Sequence, residues 1–406
     1  MSEENNYPVV VENLYKIFGP NPERAFDLIE QGYGKEEIFE QTGLTVGVLD
    51  ANFQVREGEI FVVMGLSGSG KSTLVRMLNR LIEPTSGSVY VEGKDISKME
   101  EDDLIKVRRQ KMSMVFQSFA LMSHMTVLEN AAFGLEISGH EQKEREERAM
   151  RSPEQVGLKA NAKSYPDELS GGMQQRVGLA RGLAGDPSIM LMDEAFSALD
   201  PLIRTEMQDL LLSLQAESSR TVIFISHDLD EAMRIGDRIA MMEGGKIVQV
   251  GTPEEILKYP ANDYVQAFFR GVDPTTVLRA GDIARDNQVT IIKHRGDELH
   301  PALERLQSYD RPYGYVLDEK RGFLGVVSVD SLHECIDKEK KENVNVEIEE
   351  AFLDKVEAVT EDNSLQDSLS FIADSPVPVP VVDNDNVYKG VISKNRFLRT
   401  MQREKQ

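Results

Sequence analysis

Cysteine is almost missing: Cys335 is the only one in 406 residues. That excludes an internal disulfide and a cysteine-rich metal centre, and it fits a reducing cytosol. His333, two residues earlier, reads as incidental. Long apolar runs are missing as well. The longest are "IFVVM" (Ile60 to Met64), "IMLM" (Ile189 to Met192) and "VIFI" (Val222 to Ile225), far short of the roughly 20 residues that span a bilayer. Any membrane role is therefore expected to come through a partner. The start, "MSEENNYPVV", lacks the basic and apolar regions of a signal peptide. Basic residues are in deficit, 46 Lys and Arg against 69 Asp and Glu, for a net charge of −23. A broad electrostatic grip on nucleic acid is not expected of such a chain.

What is present suggests two or three domains, with ample apolar residues (40%) for their cores. Short apolar strands alternate with helical stretches from about Tyr7 to Phe269, the pattern of an α/β layer with a largely parallel sheet. "Gly271-Val-Asp-Pro274" breaks that pattern and reads as a joint. Beyond it "YVLDEKRGFLGVVSVDSLHECI" (Tyr315 to Ile336) aligns with "PVVDNDNVYKGVISKNRFLRTM" (Pro380 to Met401). Asp318 pairs with Asp383 and Gly325 with Gly390, both 65 apart. This is an internal repeat, and each copy reads as helix, strand, turn, strand, helix. The expected divisions are 1–272, 275–336 and 345–402. An insert at 20–43, with two short helical patterns, interrupts the first domain.

The chemistry concentrates in that domain. "GLSGSGKST" (Gly65, Leu66, Ser67, Gly68, Ser69, Gly70, Lys71, Ser72, Thr73) follows an apolar strand and opens a helix with Leu74, Met77, Leu78 and Leu81 on one face. It is a phosphate loop: the glycines let backbone N–H groups surround phosphates, Lys71 reaches the β and γ phosphates, and Ser72 can ligate Mg²⁺. "IMLMDEAFSALD" ends a strand in Asp193, a carboxylate at the sheet edge where Mg²⁺ would sit; Glu194 beside it suits polarising an attacking water. "TVIFISHD" ends another strand at His227, and "MVFQSF" offers Gln117. "DELSGGMQQRVGLARGLAGDP" (Asp167 to Pro187) is a second anion-facing helix start, with Ser170, Gly171 and Gly172 but no lysine.

The order of phosphate loop, Gln117, "LSGGMQQR", Asp193-Glu194, "SALD" and His227 resembles that of the ATP-binding cassette (ABC) ATPases over the first 270 or so residues. The resemblance implies an ABC-type P-loop fold, with a mostly parallel sheet, an antiparallel β subdomain and a helical subdomain, and ATP and Mg²⁺ as cofactors. It implies Lys71, Ser72 and Thr73 on the phosphates, Gln117 sensing Mg²⁺ and a membrane partner, Asp193 behind Mg²⁺ and Glu194 as general base. His227 would be the γ-phosphate switch, and Phe18 would stack on adenine. Ser170, Gly171, Gly172 and Asp200 would serve the nucleotide of a second copy, in a head-to-tail dimer. The missing lysine of the second helix start is then supplied by the partner.

Finer pieces, among them "RAFDLIEQG", "NRLIEPTSG", "VFQSFALMSHMTVLEN" and "ISHDLDEAMRIGDRIAMM", resemble the ATPase subunits of glycine betaine/proline importers. That implies work at the cytoplasmic face of the membrane, with an integral permease subunit that is fused to or works with a substrate-binding protein. The surface around "FALMSHMTVLENAAFG" (Phe119 to Gly134) would receive the permease or simply be helix core. The repeat resembles a tandem pair of cystathionine-β-synthase-type (CBS) modules, in "GVVSVDSL" and "GVISKNRF". Nucleoside-binding copies commonly place an Asp three residues after the Ser or Thr, whereas these positions hold Ser331 and Arg396. Three readings of 275–402 follow: a structural or dimerising pair, a pocket for a nucleotide signal (a cyclic dinucleotide ahead of another adenine nucleotide, because the ribose Asp is missing), or an ionic-strength sensor. The last would set Lys394, Arg396, Arg399, Arg403 and Lys405 against anionic lipid. Two other classes compete for the whole chain, a soluble ABC ATPase without a membrane partner and a nonhydrolytic sensor, the latter opposed by Glu194.

Overall fold

The computed structural model describes residues 7–117, 120–270, 273–293 and 299–401. The expected joint at Gly271 and Val272, and the residues Phe119, Arg403 and Lys405, lie outside them. The chain forms two compact units, which divide between Phe269 and Arg270.

Strands of the first unit are β1 (Val9–Phe18), β2 (Thr45–Val55), β3 (Ile60–Met64), β4 (Ser86–Val91), β5 (Lys94–Asp95), β6 (Met112–Phe116), β7 (Ile189–Asp193), β8 (Thr221–Ser226), β9 (Arg238–Glu243) and β10 (Lys246–Gly251). Its helices include α1 (Arg24–Glu30), α2 (Lys35–Thr42), α3 (Lys71–Leu78), α4 (Glu101–Lys111), α5 (Val127–Ile137), α6 (Gln142–Gln155), α7 (Gly171–Leu183), α8 (Pro201–Glu217) and α9 (Leu229–Ile235). An antiparallel sheet of order β2-β1-β4-β5 lies beside a six-stranded sheet of order β10-β9-β3-β8-β7-β6. The second is parallel except for the β9–β10 hairpin. β3, β7 and β8 are buried along their whole length, as strands covered on both faces must be, which is why they read as unbroken apolar runs. One core joins the sheets: Phe53 of β2 stacks on Phe61 of β3 at 5.3 Å, and Leu74, Met77 and Leu78 of α3 pack with Ile189 and Ile223. The insert forms α1 and α2. Its Ala25 and Ile38 are buried with Ile17, Val46 and Leu49.

In the second unit two three-stranded sheets repeat one topology. The first is β11 (Thr290–Ile292), β12 (Tyr313–Leu317) and β13 (Phe323–Ser328); the second is β14 (Val359–Thr360), β15 (Val379–Val382) and β16 (Tyr388–Ile392). Each copy thus has a strand ahead of the pattern read from sequence, parallel to its neighbour. These strands are too short for a period to show. The paired aspartates build the hairpin turns: Asp318 Oδ1 accepts from Lys320 N (2.8 Å) and Gly322 N (2.6 Å), and Asp383 Oδ1 from Asp385 N (3.0 Å) and Val387 N (2.8 Å).

The paired glycines make room for a crossing of chain. The backbone at Arg285, ahead of the first copy, exchanges hydrogen bonds with Val391 of the second, both at 3.0 Å. Leu353, ahead of the second copy, donates to Val326 O of the first at 2.8 Å. A Cβ on Gly390 (φ +141°) would stand 2.6 Å from the Arg285 carbonyl carbon, and one on Gly325 would stand 2.4 Å from the Phe352 ring.

Candidate functional site

Sheet register gathers the candidate residues at one edge. Phe116 pairs with Asp193, Asp193 with Ile225, and Met64 with Ser226. The residues that follow these strand ends are Gln117, Glu194, Gly65 and His227, so four separate segments deliver polar groups to the C-terminal rim of one parallel sheet.

The phosphate loop is held by close approach. A Cβ on Gly65 (φ +154°) would fall 2.1 Å from Met242 O, and one on Gly70 (φ +103°) 2.1 Å from Gly47 O. No larger residue fits either place. Leu66, Ser67 and Gly68 form an exposed crest, Ser69 is buried, and Ser72 and Thr73 are half-buried. Lys71 is 5% exposed, and its ammonium donates to Gly65 O (2.8 Å) and Leu66 O (3.0 Å). Burial lowers its pKa, opposed by the carboxylates of Glu194 and Asp193. Ser69 Oγ is a buried hydroxyl without a protein partner.

Beside the loop, Ser72 Oγ donates to Asp193 Oδ1 at 2.9 Å. Arg76, one turn along α3 on the same face, reaches Asp193 Oδ2 at 3.1 Å. Two hard oxygens so placed fit Mg²⁺, which takes one or two protein oxygens together with waters and phosphates. Glu194 has φ +48°, a strained backbone for a non-glycine residue of the kind found at functional sites. Its Oε2 lies 3.4 Å from His227 Nδ1. Gln117 Nε2 donates to Ser197 Oγ (3.2 Å), and that hydroxyl donates to Glu194 O (2.9 Å). Phe18 is 39% exposed with Lys16 Nζ 5.0 Å from its ring centroid. A Cβ on Gly47 would touch both the Phe18 ring (2.8 Å) and the Thr73 methyl (3.3 Å), so Phe18 borders the start of α3.

The signature turn gathers with α8. Ser170 caps α7, its Oγ accepting from Met173 N at 3.4 Å. A Cβ on Gly172 would be 2.5 Å from Ile203 Cγ2, and the Ile203 N–H donates to Asp200 Oδ1 at 3.1 Å. Gly171 faces open space.

Further contacts were not readable from sequence. Tyr264 accepts from Leu66 N and donates to Met242 O, both at 3.2 Å. Arg204 of α8 donates to Asp228 Oδ2 (2.8 Å), Leu199 O (3.2 Å) and Ser197 O (3.4 Å). Glu231 is 4% exposed and accepts from Ser226 Oγ (2.5 Å) and Gln208 Nε2 (3.2 Å); burial raises its pKa. For the Arg76 contact to Asp193 the (i, i+4) spacing from Ser72 is a signal that the sequence holds.

Comparison with known proteins agrees with this geometry. The ABC transporter family model matches residues 48–197. The glycine betaine/proline betaine transport ATP-binding protein of Escherichia coli (strain K12) is 58% identical over 395 residues, 97% of each chain. The glycine betaine transport ATP-binding protein of Bacillus subtilis (strain 168) is 46% identical over 396 residues, 98% of this chain and 93% of that one. Among solved structures, a dimeric ATP-binding cassette bound to ADP and Pi in a post-hydrolysis state aligns with a TM-score of 0.51 at 31% identity, over 60% of this chain and 98% of that one. The chain belongs to the ABC transporter family, among the ATP-binding proteins of glycine betaine transport systems.

Proposed function

We propose that the chain hydrolyses ATP to energise import of glycine betaine, proline betaine or a similar compatible solute, as a pair of identical chains bound to an integral permease at the cytoplasmic face of the membrane. The convergence of the Lys71 loop, Asp193, Glu194, Gln117 and His227 on one sheet rim carries the hydrolysis, and the likeness to glycine betaine transport ATP-binding proteins supports the solute. Among the described residues no helix is long and apolar enough to cross a membrane; the proposed partner is an integral permease subunit, fused to or working with a substrate-binding protein. No nucleic-acid partner is proposed.

Phe18 packs on adenine. The amides from Gly65 to Thr73 and the Lys71 ammonium take the phosphates. Ser72, Gln117 and Asp193 would hold Mg²⁺, which when bound offsets phosphate charge. Glu194 accepts a proton from water as the water oxygen attacks the γ phosphorus and the bond to ADP breaks. His227 donates to the γ phosphate. Ser170, Gly171, Gly172 and Asp200 close over the partner's nucleotide, with the positive end of α7 toward the phosphate. ATP thereby favours the closed pair and hydrolysis releases it, shifting the permease between orientations. Glu194→Gln should bind ATP yet hardly turn over, and near-normal turnover would remove Glu194 from the role of base. Copurification with an integral membrane subunit separates this reading from that of a free cytosolic ATPase.

Residues 275–336 and 345–402 are proposed as a CBS pair that regulates the cycle under osmotic stress. Both positions that would carry a ribose-binding Asp are already engaged. Ser331 Oγ accepts from Ser328 N at 2.9 Å, and Arg396 Nε donates to Ile283 O. This favours a cyclic dinucleotide over a mononucleotide. Saturable heat on titrating the full chain with cyclic dinucleotides supports it, and flat titrations eliminate it. Contact with anionic lipid would rest on Lys394 and Arg399, both exposed; vesicles of varied anionic content would then shift the salt threshold of transport.

A further inference from the structure

The insert between β1 and β2 has no task in the ATPase cycle described above. It is firmly built: Ala25 of α1 and Ile38 of α2 are fully buried, and Tyr15 meets Phe26 edge to face at 5.2 Å. α2 is thus fixed to the strands that flank it. Lys35 opens that helix three residues before Ile38, so the two share its inward side. The Lys35 ammonium donates to Gly68 O at 3.0 Å, across 33 residues of sequence. The place is electrostatically poor for a lysine. A first helical turn favours carboxylates, such as the neighbouring Glu36 and Glu37, and disfavours a cation. The Gly68 carbonyl is the contact that compensates.

Gly68 is the crest of the phosphate loop. It has φ +78°, and no atom stands within 4 Å of a Cβ built there, so nothing packs over its Cα; its peptide to Ser69 is held by two hydrogen bonds, Lys35 on the carbonyl and the Ser69 N–H on Leu66 O. A donor on the Gly68 oxygen holds that carbonyl toward the insert. Because the peptide is planar and trans, the Ser69 N–H then points the opposite way, back into the loop toward Leu66 O at 3.2 Å. The same ammonium adds positive charge beside a loop that receives a polyanion.

We propose that Lys35 is a positioning residue of the nucleotide site: through it the insert fixes the crest of the phosphate loop and sets a cation beside the anion that the loop receives. Affinity for a nucleoside triphosphate then depends on a cationic donor at position 35. The inference rests on the reading of the phosphate loop as the ATP site.

The test is binding of a fluorescent ATP analogue with Mg²⁺ to the full chain and to Lys35→Met, Lys35→Arg and Lys71→Ala. Methionine keeps the length and loses the charge and the donor. It should weaken binding about 3- to 10-fold, whereas arginine should stay within about 2-fold of the native chain. The melting midpoint without nucleotide should be the same in the native chain and in both Lys35 variants. Native affinity in Lys35→Met overturns the proposal, as does an equal loss in Lys35→Arg. A nucleotide-free melting midpoint that falls in step with affinity assigns the lysine to the fold instead and also overturns it. Native binding by Lys71→Ala would remove the site reading itself, a failure distinct from the others.

Discussion

Glu194 Oε2 and His227 Nδ1 lie 3.4 Å apart, each on the residue that follows a buried parallel strand. Glu194 is held there at φ +48°, so the carboxylate is aimed by its backbone as well as by the histidine. The two side chains are expected to act as one unit. Glu194→Gln and His227→Ala should each lower kcat about 10²- to 10⁴-fold, and the double variant should be little worse than the poorer single one. Phosphate release at saturating ATP measures this, and fully multiplicative losses would show independent roles.

Arg204 ties the turn beyond Asp193-Glu194 to the residue after His227, through Ser197 O, Leu199 O and Asp228. Arg204→Ala frees two carbonyls and one carboxylate while leaving the phosphate loop untouched. ATP binding to the single chain should be unchanged, and kcat should fall about 10-fold, the scale of one charge-assisted hydrogen bond. Weakened ATP binding would place Arg204's effect at the loop instead.

Glu231 gives the first unit a defined pH dependence. Its pKa is raised, chiefly by burial, with the Ser226 and Gln208 hydrogen bonds acting the other way. A carboxyl whose folded pKa exceeds its unfolded value supports the fold while protonated, and that support is lost as pH rises through the folded pKa. The first unit should therefore lose stability as pH rises from the ordinary carboxyl range through the raised pKa of Glu231, and Glu231→Gln should flatten that slope. Melting midpoints across the range check it; an unchanged slope would assign the dependence elsewhere.

The sequence carried the sheet rim because buried parallel strands read as apolar runs that stop at a polar residue. Asp193 ends such a strand, Gln117 and His227 each follow one, and the spacing of Gly65 and Gly70 in the phosphate loop matches the two places where backbone approaches closely. Partnership at a distance left no trace. Nothing in the sequence ties Tyr264 to the amide of Leu66, Arg204 to Asp228, or Lys35 to Gly68, because periodicity reports which face is buried and not what it meets. The strands β11 and β14 were hidden for a different reason, being held by their neighbours rather than by a pattern of their own. Gly325 and Gly390 were read as marks of the repeat, and their physical cause is the chain that crosses over each.

Those glycines should differ in cost. At Gly390 a methyl group meets backbone, and the φ of +141° strains any larger residue. At Gly325 its nearest neighbours are atoms of the Phe352 ring, a side chain rather than backbone. Gly390→Ala should destabilise the second unit by about 2–4 kcal/mol and Gly325→Ala by about 1–2 kcal/mol. Hydrogen exchange along β12, β13, β15 and β16 reports this, and the reverse order would contradict the crossing as the reason for the glycines.

Ser170 caps a helix that has no lysine, while Lys71 sits in a loop that has one, and the proposed dimer makes each complete the other. Ser170→Arg costs the α7 cap about 1 kcal/mol and places a bulky cation where the partner's phosphate would enter. ATP binding by the single chain should survive, while ATP-driven pairing and hydrolysis are lost. Lys71→Ala should fail at binding. Mixing the two inactive chains decides between a composite site and a site within one chain. In a mixed pair, the intact loop of the Ser170→Arg chain faces the intact signature of the Lys71→Ala chain, so one of the two sites is whole. Hydrolysis should therefore reappear on mixing and saturate as the second chain is titrated in. Two chains that stay inactive together, though able to pair, would place Ser170 and Lys71 in the same site.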